Sequence, residues 1–175
     1  MIFASPRPPT HSAPSLRTIA TFYYDQYTQL AQSDPATALN AAYVAIRYYD
    51  RYLAVSPDDN DAKVDESAML FYTGQTDKAI QLVTEALKSD RDHVNGNYNL
   101  GIFLWQGNRH DFNGAAAQFE KVIALTRGNT QLQNTFQGAT MALAEVKSDA
   151  AAAGRPVTSA STTPSAVASS GASTQ

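Results

Sequence analysis

Three histidines are the residues best suited to catalysis or metal binding, because the chain has no cysteine. His11 lies in a Pro-rich N-terminal stretch, His93 directly precedes a predicted helix that starts at Val94, and His110 follows the end of that helix. At about 1.5 Å per residue the two helix ends are roughly 20 Å apart, too far for His93 and His110 to bind one metal ion. The spacing therefore argues against a metal centre and against a catalytic histidine pair.

The acidic stretch Asp58–Asp61, with Asp65 and Glu66 after it, resembles a calcium-binding loop in its carboxylates only. It lacks the glycine in mid-loop, and Met69 stands where a bidentate glutamate is required. We interpret these residues as a polar loop whose negative charge stabilises the N-terminus of the next helix. The sequence also has no Gly-rich phosphate loop and no nucleophile elbow. It predicts a protein that is not an enzyme and binds no cofactor.

Composition and charge narrow the classes of partner. Of the 175 residues, 43% are hydrophobic, and the formal net charge is -3, so the chain can form a core but has no basic surface for nucleic acid. No apolar run approaches the roughly 20 residues that span a bilayer, which predicts no direct membrane insertion. We expect a cytoplasmic protein. The alternative is an extracytoplasmic protein on a membrane anchor, if an upstream segment was lost.

Apolar residues recur at helical spacing along the middle of the chain, and no segment has the period of a β-strand. Cap and turn residues separate the predicted helices, notably Asp34 with Pro35, Ser56–Asp59, and Gly74. Ser15 and Thr130 are the predicted N-caps of the first and last helices. The spacing predicts seven helices, at about 15–30, 35–55, 60–73, 76–87, 94–107, 115–123 and 130–153.

Both termini differ in composition from this helical region. Residues 1–14 are rich in proline, and residues 154–175 are almost all Ser, Thr, Ala, Pro or Gly. Such segments bury too little apolar surface to offset the entropy lost on ordering. We expect a disordered leader at 1–14 and a disordered tail at 154–175.

The helical region contains an internal repeat. Ala45, Ala79 and Ala115 share one register, with spacings of 34 and 36 residues. Three further columns follow the same spacing: Tyr49, Val83 and Phe119; Tyr52, Ala86 and Val122; Leu53, Leu87 and Ile123. A helix–turn–helix unit that repeats at this period is typical of a stacked α-solenoid.

In these residues the chain resembles the tetratricopeptide repeat (TPR) family. The third copy has Leu100-Gly101 and then Ala115 and Phe119 in an Ala-x-x-x-Phe arrangement, although Arg127 replaces the family's closing proline. The resemblance implies an all-α, right-handed α-solenoid of about three helical hairpins and a C-terminal capping helix. The domain would cover 15–153, with repeats at about 15–59, 60–93 and 94–129 and the capping helix at 130–153.

In the TPR family the first helix of each hairpin lines a concave groove that holds a partner peptide. Carried over to this sequence, that groove contains Val64, Ala68, Phe71, Tyr72, Asn95, Tyr98, Asn99, Ile102 and Trp105. The alternative for Tyr98 and Trp105 is a place in the core. Some family members bind acidic C-termini through basic groove residues, but Val64 and Tyr98 occupy those positions here, so we expect an uncharged or weakly amphipathic partner segment.

Two hypotheses on function follow from the resemblance and from the aromatic content. The first is a non-enzymatic interaction module that binds a protein or peptide partner, whose identity the sequence leaves open, in the groove. The second is a structural or assembly subunit, in which the Tyr-rich first hairpin packs on another copy in a homodimer or on a membrane-anchored complex.

Overall fold

The computed structural model describes residues 12–158, which form seven α-helices and one short 3-10 turn. The predictions for His11, for most of the leader and for most of the tail lie outside these residues. Within the described range there is no strand, so the all-α prediction is confirmed. The helices are α1 (Ala13–Leu30), α2 (Pro35–Leu53), α3 (Asn60–Tyr72), α4 (Thr76–Ser89), α5 (Val94–Gln106), α6 (Phe112–Thr126) and α7 (Gln133–Ala152), with the 3-10 turn at Thr130–Leu132.

The helices pair in sequence as three hairpins, α1–α2, α3–α4 and α5–α6, and α7 packs on α6. Each second helix also contacts the first helix of the next hairpin, and the first helices α1, α3 and α5 contact one another in turn. This arrangement is the predicted α-solenoid of about three hairpins with a final capping helix. No helix within residues 12–158 combines the length and the apolar content that crossing a membrane requires.

The helix ends confirm some of the predicted caps and correct others. The Asp34 carboxylate accepts from the Thr37 N–H at 3.1 Å, and Gly74 closes α3 with a φ of 81°. The Ser15 prediction is wrong, since the Ser12 hydroxyl accepts from the Ser15 N–H and α1 begins at Ala13. The Thr130 prediction is also wrong, because the preceding asparagine caps the 3-10 turn and α7 starts only after it.

The repeat register corresponds to the core. Ala45, Ala79 and Ala115 are fully buried, as are Tyr49, Val83 and Phe119 from the second column. The small alanines let neighbouring helices approach closely, and Phe119 from the larger set packs against α5, the other helix of its own hairpin. Gly101 shows how close that approach is: a Cβ there would lie 2.8 Å from the Phe119 ring.

Asp59 links the first hairpin to the second. One carboxylate oxygen caps α3 by accepting from the Ala62 N–H at 2.9 Å. The other accepts from the Tyr52 hydroxyl at 2.7 Å and from the Arg17 guanidinium. Partial burial raises the pKa of Asp59, but the donors on Arg17, Ala62 and Tyr52 outweigh it and hold that pKa below its ordinary value. Helices α1, α2 and α3 therefore share one anion.

Glu66 is a buried carboxyl on α3, with 4% of the residue exposed. Burial first, and then the charge and hydrogen bond of the neighbouring Asp50 side chain, raise the pKa of Glu66 to about 8. At neutral pH Glu66 is thus largely a neutral acid that donates a hydrogen bond to Asp50.

The first residues of the predicted disordered tail lie on the domain. Val157 packs against the core cluster of α6 and α7, and the Arg155 guanidinium lies 5.5 Å from the centre of the Phe112 ring. The Thr158 N–H donates to the Asn113 side chain at 3.0 Å. The predicted start of the disordered tail at residue 154 is therefore corrected. An apolar side chain and a cation–π contact hold residues 154–158 on α6.

We expect Asp59→Ala to lower the free energy of unfolding by about 2 kcal/mol, because it removes a helix cap and leaves Arg17 and Tyr52 without their acceptor. Urea denaturation followed by circular dichroism measures the change. The control is Asp58→Ala, which removes the adjacent, exposed carboxylate and should change stability by less than about 0.5 kcal/mol. Equal stability of the two variants would contradict the shared role of Asp59.

We expect Glu66→Gln to stabilise the protein by on the order of 2 kcal/mol at pH 9 and to have little effect at pH 5. A carboxyl whose folded-state pKa is raised binds its proton more tightly when folded. Its contribution to stability is therefore present below the ordinary pKa and is lost as the pH rises through about 8. Denaturation midpoints across this range test the sign. A Glu66→Gln gain of the same size at pH 5 and pH 9 would refute it.

Candidate functional site

Four tyrosines from the first helices of the three hairpins form the most distinctive surface of the stack. Tyr24 and Tyr27 come from α1, Tyr72 from α3 and Tyr98 from α5. With the neighbouring Asn95, Asn99 and Ile102 of α5 they make up what we call the inner face. Each first helix uses one side to contact its own hairpin and its neighbours, and the inner-face residues lie on the side that remains.

Ring contacts fix the positions of these tyrosines. Tyr27 and Tyr72 stack with ring centres 4.9 Å apart, which joins α1 to α3, and Tyr72 remains 50% exposed. Tyr98 meets the buried Phe119 ring edge-on at 5.5 Å. Because aromatic rings have few rotatable bonds, these packing contacts hold the rings of Tyr27, Tyr72 and Tyr98 in place.

The inner-face hydroxyls are neutral donors and acceptors at physiological pH. Burial, and secondarily the nearby Asp65 carboxylate, raise the pKa of Tyr24 to about 12. Burial likewise raises the pKa of Tyr27, Tyr72 and Tyr98 above the ordinary value. Within residues 12–158 none of these four hydroxyls has a hydrogen-bond partner. The described residues therefore leave the hydrogen-bonding capacity of all four hydroxyls unused.

Asp65 lies behind this aromatic surface. Burial raises the pKa of Asp65 to about 6, although the Tyr49 hydroxyl, which donates to it at 3.3 Å, lowers that pKa in part. Tyr49 is fully buried, so this hydrogen bond satisfies its hydroxyl inside the core. Asp65 consequently contributes a partly shielded negative charge next to Tyr24.

The α5 end of the inner face continues into a shallow pocket of about 310 Å³, whose lining residues are Asn95, Tyr98, Asn134, Thr135 and Gly138. Gly138 opens this space, since a Cβ there would lie 3.3 Å from the Tyr98 hydroxyl. Asn95 is exposed and Asn99 half-buried. No described residue hydrogen-bonds to either side-chain amide. The pocket thus adds amide donors and acceptors to the tyrosine hydroxyls.

The residues predicted to line the groove fall into two sets: some lie in the core or at helix junctions, and others lie on the inner face. Val64 and Ala68 are core residues, 2% and 4% exposed, so their assignment to the groove is wrong. Val64 packs where α3 meets α5, with a methyl 3.2 Å from the position of a Cβ on Gly96. Phe71 stacks on Phe103 at 4.6 Å and serves the same junction. Tyr72, Asn95, Tyr98, Asn99 and Ile102 lie on the inner face.

Trp105 joins α5 to α7. Its indole N–H donates to the Asp149 carboxylate at 2.9 Å, and its carbonyl accepts from His110 at 3.1 Å. The ring lines an open cleft of about 530 Å³ at the end of the stack together with Phe112 and Arg155. Trp105 is therefore mainly a packing residue, which was the alternative for it, whereas Tyr98 combines a packed ring with a hydroxyl to which no residue in 12–158 hydrogen-bonds.

Tyr24 and Tyr27 belong to the site but are absent from the predicted groove. The long second helix of the first hairpin obscures the repeat register there. Two features of the sequence could have identified them: the aromatic residues on α1 have helical spacing, and α1 is the first helix of its hairpin.

The remaining chemical candidates have structural roles. His93 caps α5, since its Nδ1 accepts from the Gly96 N–H at 3.0 Å, and its Nε2 therefore carries the proton that it donates to Asp61 at 2.9 Å. His110 has a positive φ of 44° and binds the Trp105 carbonyl. Across residues 12–158, no group of three or more His, Asp or Glu side chains is arranged to hold a metal ion.

Several solved structures have the same stack of helical hairpins. The type III secretion translocator chaperone SycD of Yersinia enterocolitica matches with a TM-score of 0.64 and 14% identity, over 80% of this chain and 88% of that one. The chain shares the fold of these chaperones. PcrH from Pseudomonas aeruginosa matches with a TM-score of 0.61 and 16% identity, over 81% of this chain and 98% of that one.

One of the similar structures is of SycD in complex with a peptide of the translocator YopD, and another shows SycD as an alternative dimer. At 14% identity the similarity of this chain to SycD concerns the fold alone. No protein-family model and no curated protein matches the chain.

Proposed function

We propose that this protein is a non-enzymatic interaction module of the TPR type, which holds an extended segment of a partner protein on its inner face. The observation that carries the proposal is a row of four tyrosine hydroxyls and two asparagine amides that have no hydrogen-bond partner among the described residues. The tyrosine rings that carry the hydroxyls are partly buried. A peptide backbone presents the alternating donors and acceptors that such groups satisfy. Tyrosine also supplies contact area at low entropic cost.

The chemistry of the inner face narrows the class of partner. Its seven residues include no lysine or arginine, so the inner face offers no clamp for a terminal carboxylate or an acidic tail. Ile102 and the tyrosine rings provide apolar contact, and Asp65 adds a shielded negative charge. An uncharged or weakly amphipathic segment fits this surface. The SycD structure with a translocator peptide supports the proposal, because it shows that this fold can hold a peptide.

The test uses peptides selected from a displayed random library against the full chain, with affinity measured by calorimetry. We expect Asn95→Ala with Asn99→Ala to weaken a selected peptide about 10-fold, since each lost hydrogen bond costs roughly 0.5–1.5 kcal/mol. Tyr24→Phe with Tyr72→Phe, which keeps the rings and removes the hydroxyls, should have a similar effect.

The control for this test is Asn40→Ala with Gln81→Ala, which changes two exposed amides on the second helices α2 and α4. Its affinity should equal that of the unmodified chain. Circular dichroism of all variants confirms that they are folded. Peptides whose affinity is unchanged by the inner-face substitutions, or reduced equally by the control, would refute the proposal.

A second candidate function is self-assembly. Leu39 and Tyr43 lie one turn apart on α2 and are 39% and 47% exposed, an arrangement that a second copy could cover. The alternative dimer of SycD supports this candidate. Such a dimer would dissociate on dilution in sedimentation experiments, whereas a peptide-binding monomer would keep a single sedimentation coefficient.

A further inference from the structure

A cavity of about 420 Å³ lies where α4, the loop after it, α5 and α6 meet, and no residue of the inner face lines it. Its lining residues are Thr84, Leu87, Lys88, Arg91, Asn97, Leu100, Gln118 and Lys121. Three of these are cationic and none is acidic, although the formal net charge of the chain is -3. The cavity therefore concentrates positive charge at one place on an acidic protein.

Equivalent positions in the second hairpin show why this space is open. At the repeat spacings of 34 and 36 residues, Asn97 corresponds to Lys63 and Lys121 corresponds to Glu85. Lys63 is 8% exposed, and its ammonium donates to the Glu85 carboxylate at 2.7 Å, so a long side chain and its ion partner join α3 to α4. Asn97 is shorter than lysine, and Lys121 has the opposite charge to Glu85. The third hairpin consequently has no such pair between α5 and α6.

Asn97 places a hydrogen-bond acceptor in the cavity. The residue is 2% exposed, and its side-chain N–H groups donate to the carbonyls of Arg91 at 2.9 Å and of His93 at 2.8 Å. These two partners fix the orientation of the amide, because only its nitrogen can donate to a carbonyl. No described residue donates to the Asn97 Oδ1, and every fully buried side-chain oxygen or nitrogen in residues 12–158 has a partner. The Oδ1 is therefore accessible from the cavity that Asn97 lines.

The three cations retain capacity to bind an anion. The Lys121 ammonium donates to the Arg91 carbonyl and lies 3.3 Å from the Asp92 carboxylate, which holds it at the cavity. An ammonium has three N–H donors, so one remains unused. Lys88 and Arg91 are exposed, and neither side chain has a hydrogen bond or an ion pair with any residue in the described range.

We propose that this cavity binds a small organic anion that carries a hydroxyl group close to its charge, such as a phosphorylated polyol or a hydroxy acid. Lys88, Arg91 and Lys121 bind the anionic group, and the Asn97 Oδ1 accepts a hydrogen bond from the hydroxyl. This inference goes beyond the proposed function and is independent of it, since the cavity shares no residue with the inner face.

The size and lining of the cavity suit such a ligand. Small-molecule sites commonly have volumes of roughly 300–1,000 Å³ and combine apolar walls with a few polar groups. Leu87 and Leu100 supply the apolar wall beside the cations. The planar guanidinium of Arg91 can bind two oxygens of a phosphate or a carboxylate at once. An anion without a hydroxyl leaves the Asn97 acceptor unused, and a neutral polyol leaves the cations unused.

Titration of the full, nitrogen-15-labelled chain, followed by two-dimensional NMR, tests the proposal. Glycerol 3-phosphate and malate represent the two anion chemistries, sulfate has the charge without a hydroxyl, and glycerol has the hydroxyls without a charge. We expect at least one of the two organic anions to shift the amide signals of Asn97, Leu100 and Lys121 to saturation below about 10 mM. Sulfate and glycerol should bind at least about fivefold more weakly. Absence of binding by both organic anions, or equal affinity for sulfate or glycerol, would overturn the proposal.

A charge-removing double variant connects the binding to the cavity. We expect Lys88→Gln with Arg91→Gln to weaken the bound organic anion at least about tenfold, because two of its three charged partners are lost. The control is Arg47→Gln with Lys78→Gln, which removes the same charges from exposed positions on α2 and α4. Its affinity should stay within about twofold of the unmodified chain. An equal loss of affinity in both double variants would show general charge attraction and would overturn the proposal.

A second double variant closes the cavity by copying the second hairpin. Asn97→Lys with Lys121→Glu gives the third hairpin the pair that Lys63 and Glu85 form in the second. We expect it to abolish binding of the organic anion, because the longer side chain at position 97 occupies the space and the charge at position 121 is reversed. Circular dichroism shows whether the variant is folded. Unchanged affinity in this variant would overturn the proposal, and the first double variant, which alters exposed side chains only, decides the matter if this one is unfolded.

Discussion

No hairpin in this protein can bury its own apolar side, and that constraint determines the rest of the structure. Fully buried Ala45, Ala79 and Ala115 bring the helices of each hairpin together, and Phe119 fills the space beneath Gly101. What remains apolar must be covered by the next hairpin. Helix α7 does this for the third hairpin through Ala139, Ala142, Val146 and Ala150. The fold is therefore a series of neighbours rather than a single central core.

The same constraint produces the inner face. Helix α3 directs Val64 and Phe71 at α5, as the stacking of Phe71 on Phe103 shows. The tyrosines on the remaining side stay partly exposed with neutral hydroxyls. The sides of the first helices that pack and the side that carries the inner face are therefore different.

The sequence predicted the stack because its signal is local and periodic: the column Tyr49, Val83 and Phe119 is buried throughout. It could not predict which side of each first helix faces inward. Val64 and Tyr98 occupy the same repeat position, yet Val64 packs into the space above Gly96 whereas Tyr98 reaches Gly138 of α7. That difference depends on glycines in neighbouring helices, which a repeat register does not encode. The contact of Val157 with α6 is likewise tertiary and has no local signal.

Amide hydrogen exchange of Val146→Asp tests the dependence of each hairpin on its neighbour most directly, with Met141→Asp on the exposed side of the same helix as control. Val146 is fully buried against α6, and Met141 is 64% exposed. The account predicts that Val146→Asp removes protection from α5 and α6 as well as from α7, while Met141→Asp leaves all three protected. Loss of protection confined to α7, with α5 and α6 unchanged, would contradict it.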